Sequence, residues 1–153
     1  MAHERLSAAK VVPDGYKALA AVETYLRNCG FEPKLIDLVK MRASQINGCV
    51  YCLAMHSKEA RRRGEREERL YLLDAWREAP IYTPRERAAL AWTEALTRIA
   101  ETHAPDDAYE ALRSEFNEKE IADLTIAVGM INLWNRLAIG LRNQPAVDAA
   151  AAA

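Results

Sequence analysis

The sequence predicts an all-α protein, and three observations lead to this fold class. Apolar residues recur at three- and four-residue steps along several segments, which is the spacing of an amphipathic helix. Cap residues or prolines stand before several of these segments, and glycines stand after others. We find no convincing alternation of apolar and polar residues with the period of two that is typical of strands. We therefore expect about six to seven helices.

The length and composition favour one domain. The chain has 153 residues, half of them hydrophobic, and this is enough to bury a sizeable core. We assign residues 1–145 to a single domain. Residues 146–153 show no periodic pattern, so we expect a disordered tail there.

The first half of the chain is predicted to hold three helices after a disordered or extended lead over residues 1–13 and a turn at 13–15. The three helices are expected at 16–29, where Gly30 ends the pattern, at 33–47 before Gly48, and at 49–63 before Gly64.

The second half begins with a more polar connector, residues 65–82. Thr83-Pro84-Arg85-Glu86 then predicts a helix start, because Thr83 can cap, Pro84 suits the first helical position and Glu86 can bond back to the cap. We expect that helix to reach about Thr102. A short helix over 106–116 and a long one over 118–142 follow, the latter capped by Asn117 and Glu120.

The last helix is apolar nearly all round, which raises the question of a membrane span. Asp123, Asn132, Asn135 and Arg136 interrupt the apolar run, and a span tolerates such residues badly. We therefore predict a central helix that also contributes to a subunit interface, with no membrane partner.

The residues that carry chemistry form the pattern Cys49-x-x-Cys52-x-x-x-His56. In a helix, steps of three and four place all three side chains on one face. A cysteine in the first turn of a helix has its thiolate stabilised there, which favours Cys49, whereas His56 can act on Cys52 from one turn away. The pattern therefore predicts a redox site, and the residues alone leave open which cysteine attacks.

The net charge and the N-terminal sequence indicate which partners and which cellular location to expect. The formal net charge is only −1, so we expect no nucleic-acid partner. The first residues lack the apolar run of a signal peptide, so we expect a cytoplasmic, thiol-reducing location. In such a compartment a C-x-x-C pair is more often redox-active or metal-binding than a structural disulfide.

Three further features favour ordinary interpretations. Cys29 is expected to be a buried thiol that packs as a small hydrophobic residue. The arginines at 61–63 suit the last turn of a helix and a solvated face. His103 is expected to be an exposed histidine after a helix end.

The stretch SQINGCVYCLAMHSKEARRRGE resembles the alkylhydroperoxidase D-like part of the carboxymuconolactone decarboxylase superfamily. The matching residues are Ser44, Gln45, Asn47, Gly48, Cys49, Tyr51, Cys52 and His56, with a weaker match at Asn132-Leu133-Trp134-Asn135-Arg136. The rest of the chain agrees in being helical and of suitable length.

This resemblance implies an AhpD-like helical domain that forms homotrimers or hexamers and reduces hydroperoxides. It implies that Cys52 is the peroxidatic cysteine, Cys49 the resolving cysteine and His56 the relay histidine. The relay glutamate of the family corresponds to Asp37, which is one methylene shorter, and Tyr51 stands where some peroxidase members carry a histidine. A dithiol or lipoyl-type reductant is implied as well.

We therefore predict a thiol-dependent peroxidase with an Asp37-His56 proton relay and without a bound metal or cofactor. Three alternatives remain. A disulfide oxidoreductase would use the same cysteines, and a lactone decarboxylase would not need them. A metal-binding module would recruit Cys49, Cys52 and His56, with Cys29 or Asp37 as the fourth ligand.

Overall fold

A computed structural model describes residues 3–146, and every regular element in this range is helical. The elements are α1 (Ala8–Val11), α2 (Pro13–Asn28), α3 (Pro33–Asn47), α4 (Val50–Arg62), α5 (Glu67–Tyr71), a 3₁₀ helix (Leu72–Ala75), α6 (Pro84–Thr97), α7 (Ile99–Thr102), α8 (Asp106–Arg113) and α9 (Glu118–Leu141). Within the described range, six helices have eight or more residues. The predicted all-α fold class is confirmed.

The predicted cap residues set the starts of helices α6 and α9. Thr83 accepts from the backbone of Glu86 while the Glu86 side chain accepts from the backbone of Thr83, which is a complete capping box before α6. Asn117 and Glu120 form the same box before α9. Because each box satisfies backbone N–H groups that the helix leaves unpaired, these two starts are fixed by local sequence.

Helix α3 lies at the centre of the fold and contacts α4, α6 and α9. One side of α3 packs Leu35 and Val39 into a core with Leu124 and Val128 of α9. Another side packs residues of α3 against the 3₁₀ helix and its flanks, through Leu38, Met41, Leu73 and Trp76. A helix that is fixed on both sides holds its C-terminal end firmly, and the cysteine motif begins at that end.

Helix α9 is long and apolar enough to cross a membrane by length and composition. In this fold it contacts α2, α3, α4, α6 and α8. It also buries the polar side chains of Asp123, Asn132 and Asn135, each of which has a hydrogen-bond partner. Its place in the described structure is that of a central core helix, as predicted.

Two predicted boundaries were wrong at the N-terminus. The lead over residues 1–13 includes α1, and the predicted turn at 13–15 is the first turn of α2, with Pro13 at its first positions. Proline there costs no hydrogen bond, so the same residues that signal a turn also start a helix. The lead is held by Arg5, whose backbone and side chain donate to Leu141 and Gly140 at the end of α9.

The helix predicted from residue 83 to Thr102 is divided at Arg98 into α6 and α7. The Thr102 hydroxyl donates to the carbonyl of Ala95 at 2.6 Å, so a side chain satisfies that carbonyl where the helix is interrupted.

Ala146 lies at the start of the predicted tail, and its carbonyl accepts from Lys58. The rest of that tail, residues 147–153, lies outside the described residues.

Candidate active site

The junction between α3 and α4 positions the two cysteines. Gly48 adopts a left-handed conformation, with φ of 67°, and the chain turns there so that Cys49 N–H donates to the carbonyl of Ser44. Cys49 becomes the N-cap residue of α4, and its Sγ accepts from the backbone N–H of Cys52 at 3.3 Å. The predicted C-x-x-C at a helix N-terminus is confirmed.

Both cysteines of the motif are free thiols and are almost fully buried, with exposed fractions of 0% for Cys49 and 1% for Cys52. The Cys52 thiol donates to the Cys49 sulfur, and with the Cys52 backbone N–H and Asn135 it lowers the pKa of Cys49 to about 7, although burial opposes this shift. The same contact and burial raise the pKa of Cys52. The pair therefore carries its first negative charge on Cys49.

A network of amide side chains supports the cysteines from α3 and α9. Asn47 donates to the side-chain oxygens of Asn132 and Asn135, at 2.9 and 2.8 Å, and Asn135 donates to the Ser44 hydroxyl at 3.1 Å. Asn135 is fully buried and also lowers the pKa of Cys49. The network connects the sulfur atoms to the packing of α3 on α9.

Cys52 lies in the wall of a cavity of about 770 Å³ that we call the cysteine cavity. Its polar wall includes Asp37, His56 and Glu59. Its apolar wall includes Phe31, Ile36, Met55, Trp134 and Leu137. Cys49 is not among the residues in this wall within the described structure, so the cavity reaches the pair through Cys52.

Two hydrogen-bonded pairs of side chains stand in the wall of the cysteine cavity. The Nδ1 atom of His56 lies 3.1 Å from Oε2 of Glu59, one turn further along α4. Arg63, the C-cap residue of α4, donates through Nη1 to Oδ1 of Asp37 at 2.5 Å. Burial raises the pKa of Asp37, while Arg63 opposes that shift. Asp37 and His56 share the cavity, but their hydrogen bonds in the described structure go to different partners, and their relay stays a prediction.

One protein family matches the part of the chain that contains the cysteine motif. The sequence model of the Carboxymuconolactone decarboxylase family matches residues 13–95, which include α2, α3, the cysteine motif and most of α6. The chain belongs to this family. The resemblance seen in the cysteine motif is thereby confirmed.

Relatives within the family span nearly the whole chain. The uncharacterized protein YdfG of Bacillus subtilis is 37% identical over 143 residues, which are 94% of this chain and 97% of that protein. A solved structure from Agrobacterium tumefaciens, of a protein of unknown function described as a candidate antioxidant defence protein AhpD, is 49% identical and has a TM-score of 0.93, covering 95% of this chain and all of that one. A chain from Ralstonia eutropha described as an alkylhydroperoxidase AhpD core shares the fold, with a TM-score of 0.78 at 22% identity, over 90% of this chain and 74% of that one. The domain is AhpD-like.

The structure brings together the four predicted site residues of this family member. Asp37, Cys52 and His56 line the cysteine cavity, and Cys49 contacts Cys52 from behind the cavity wall. It does not bring Cys29 or His103 to the cavity wall within residues 3–146. Cys29 is half-buried and its thiol donates to the carbonyl of Leu26 at 3.1 Å, while His103 is exposed. Among the described residues, the cysteines and histidines do not gather into a set of three or more that could hold a metal ion.

Sequence reasoning missed two residues of the site. Glu59 contacts His56, and Arg63, which the sequence places on a solvated face, pairs with buried Asp37. The spacing contained a usable signal, because residues 52, 56, 59 and 63 follow one another at steps of four, three and four and therefore share a helix face.

Proposed function

We propose that this protein is a thiol peroxidase that reduces organic hydroperoxides with the Cys49/Cys52 pair in a cytoplasmic, thiol-reducing compartment. The observation that carries this proposal is that Cys52 and His56 stand in the wall of one cavity, which also has an apolar wall, while Cys49 contacts Cys52 from behind it. A nucleophile, a proton carrier and a second thiol are the parts that such a cycle requires. The antioxidant description of the Agrobacterium structure supports the same conclusion.

In the first step the Cys52 sulfur attacks the terminal oxygen of the hydroperoxide. An S–O bond forms, the O–O bond breaks and an alkoxide leaves, so that sulfur is oxidised to a sulfenic acid and the peroxide is reduced. His56 accepts the proton of the Cys52 thiol and returns it to the leaving alkoxide, which departs as an alcohol. General acid–base catalysis of this kind contributes roughly 10²- to 10⁴-fold in rate.

In the second step the Cys49 thiolate attacks the sulfur of the Cys52 sulfenic acid. The S–S bond forms, and hydroxide leaves and takes up a proton to become water. The pKa of about 7 suits Cys49 for this role, because a thiolate is ready as soon as the sulfenic acid appears. A dithiol, such as a lipoyl-type compound, then reduces the disulfide and restores both thiols.

The geometry of the cavity favours Cys52 as the attacking residue although Cys49 has the lower pKa. A hydroperoxide in the cysteine cavity meets Cys52, whereas Cys49 is fully buried behind it. The apolar wall suits an organic group on the peroxide. The order of attack that the resemblance implies is therefore the one that we propose.

Intact mass after treatment of the reduced protein with one equivalent of cumene hydroperoxide tests this function. We expect the wild type to lose two hydrogen atoms, Cys49→Ser to gain one oxygen atom, and Cys52→Ser to remain unchanged. Cys29→Ser is the matched control and should behave as the wild type, because Cys29 does not line the cavity. Full oxidation of Cys52→Ser would show that Cys52 is not the peroxidatic residue.

A disulfide oxidoreductase is the second candidate, and the lowered pKa of Cys49 favours it. The N-terminal cysteine of a C-x-x-C motif, when it is a thiolate, can attack a substrate disulfide. Reduction of a small aromatic disulfide by a protein that does not react with cumene hydroperoxide would support this candidate and contradict the peroxidase.

A further inference from the structure

Several charged groups of the cysteine cavity are arranged in pairs, and the pairing determines which carboxylate forms a hydrogen bond with His56. Lys40 donates to Glu23 at 2.7 Å, and Arg63 donates to Asp37 at 2.5 Å. His56 itself is buried, with an exposed fraction of 4%, and its Nδ1 atom lies 3.1 Å from Glu59 Oε2. In the described structure, the hydrogen-bond partner of the imidazole is thus a residue of its own helix.

The chemistry of that contact fixes the position of a proton. The hydrogen bond from His56 lowers the pKa of Glu59, with the charges of Arg63 and Lys40 acting in the same direction and partial burial opposing them. An ionised carboxylate has only acceptor atoms, so the hydrogen between the two groups belongs to Nδ1 of His56. In the neutral ring, Nε2 is then the atom that holds the lone pair.

Asp37 is engaged differently. Its Oδ1 accepts from Arg63, and its Oδ2 is buried without a hydrogen-bond partner in the described structure. Arg63 stands four residues beyond Glu59 at the end of α4, so the same helix supplies a partner for His56 and a partner for Asp37. Asp37 is thereby held in an ion pair and does not bond the imidazole.

We propose that Glu59 is the positioning residue of His56: it binds Nδ1–H and leaves Nε2 as the atom that exchanges a proton with Cys52 and the leaving oxygen. The reacting helix then carries the series Cys52, His56 and Glu59 at steps of four and three, all in the cavity wall. The proton-transfer part of this inference rests on the proposed peroxidase function, and the tautomer part does not.

The tautomer is measured by ¹⁵N NMR of His56 in the reduced protein above neutral pH. We expect the Nδ1–H form in the wild type and a shift toward Nε2–H in Glu59→Ala, because the acceptor is lost. Glu59→Gln keeps an acceptor oxygen and should restore the Nδ1–H form. Asp37→Asn should leave the tautomer as in the wild type. An unchanged tautomer in Glu59→Ala, or an equal shift in Asp37→Asn, would overturn the proposal.

Single-turnover oxidation by cumene hydroperoxide gives the second readout. The rate constant should fall roughly 10- to 100-fold in Glu59→Ala, as is usual when the carboxylate that orients a functional histidine is removed, and Glu59→Gln should recover part of it. Glu68→Ala, which removes an exposed carboxylate on α5, is the control and should react as the wild type. If the wild type does not react with the peroxide, the proposed function fails, while the NMR result still decides the role of Glu59.

Discussion

At the scale of single residues, the two cysteines of the motif are alike in sequence but differ in charge. Cys49 accepts hydrogen bonds from the Cys52 thiol and from backbone N–H groups at the start of α4, which lower its pKa. For Cys52, the contact with Cys49 and burial raise the pKa and outweigh the opposing hydrogen bonds from Asn135 and Ser44. Each hydrogen bond to a thiolate favours the charged form, so the difference follows from position in the helix. One thiolate per chain is expected above a pH of about 7.

This difference can be measured by the ultraviolet absorbance of the thiolate in the reduced protein. We expect a step with a midpoint at a pKa of about 7, with the thiolate present above that pH and lost as the pH falls below it. Cys52→Ala should move the step to higher pH, because the largest cause of the lowered pKa is removed. Cys49→Ser should eliminate the step and Cys29→Ser should leave it in place. A neutral step that persists in Cys49→Ser would assign the thiolate to another residue.

The site residues were predictable from the sequence only in part. The helical spacing was enough to predict that Cys52 and His56 share a face, because that spacing is a property of one element. Cys49 was predicted on the same face, but it is the N-cap residue of α4 and does not line the cavity of the described structure. The family resemblance added Asp37 from another helix. The hydrogen-bond partners of His56 and Asp37 could not be predicted, because they depend on which of several nearby carboxylates and cations each rotamer reaches after α3 and α4 have packed.

At the scale of elements, the site depends on the end of α3 as much as on α4. Gly48 has φ of 67°, and a Cβ built there meets nothing within 4 Å. Any cost of a side chain at this position therefore comes from the left-handed backbone and not from a steric contact. The end of α3 and the starts of α6 and α9 were predictable because local caps fix them. The short helix α1 and the break at Arg98 depend on tertiary and side-chain contacts.

Replacing Gly48 with alanine tests the junction. We expect Gly48→Ala to lower the free energy of unfolding by about 1 kcal/mol, because an L-residue adopts the left-handed conformation at that cost. Peroxide oxidation should also slow, since the hydrogen bond from Cys49 N–H to Ser44 aligns the cap of α4. Urea unfolding and single-turnover kinetics measure the two effects.

The control for this prediction is Gly140→Ala in α9, where a Cβ also meets nothing within 4 Å and the backbone is helical. Alanine there should raise the free energy of unfolding by up to about 1 kcal/mol, because it has the better helix propensity. A Gly48→Ala protein as stable as the wild type would show that the junction relaxes to another conformation.

At the scale of the whole molecule, the single chain leaves an apolar surface beside its central helix. A groove of about 580 Å³ lies between α9 and the α6–α7 region, and its wall is mostly apolar, with Leu96, Ile99, Val128, Leu133 and Leu137. Ile99 is 53% exposed. An apolar helix that leaves part of its surface exposed is expected to bury that part against a partner, and the sequence predicts a further copy of the chain there.

We therefore predict a homo-oligomer whose mass in solution is a multiple of 17.2 kDa, with this groove in the contact between subunits. Sedimentation equilibrium at micromolar concentration measures the mass. Ile99→Glu should shift it toward the single chain, because a charge in an apolar contact loses its hydration. Tyr71→Glu on α5, 73% exposed and outside the groove, should assemble as the wild type does. Circular dichroism separates dissociation from unfolding. A wild-type protein that sediments as a single chain would contradict the prediction, and assembly that persists in Ile99→Glu would place the contact on another face.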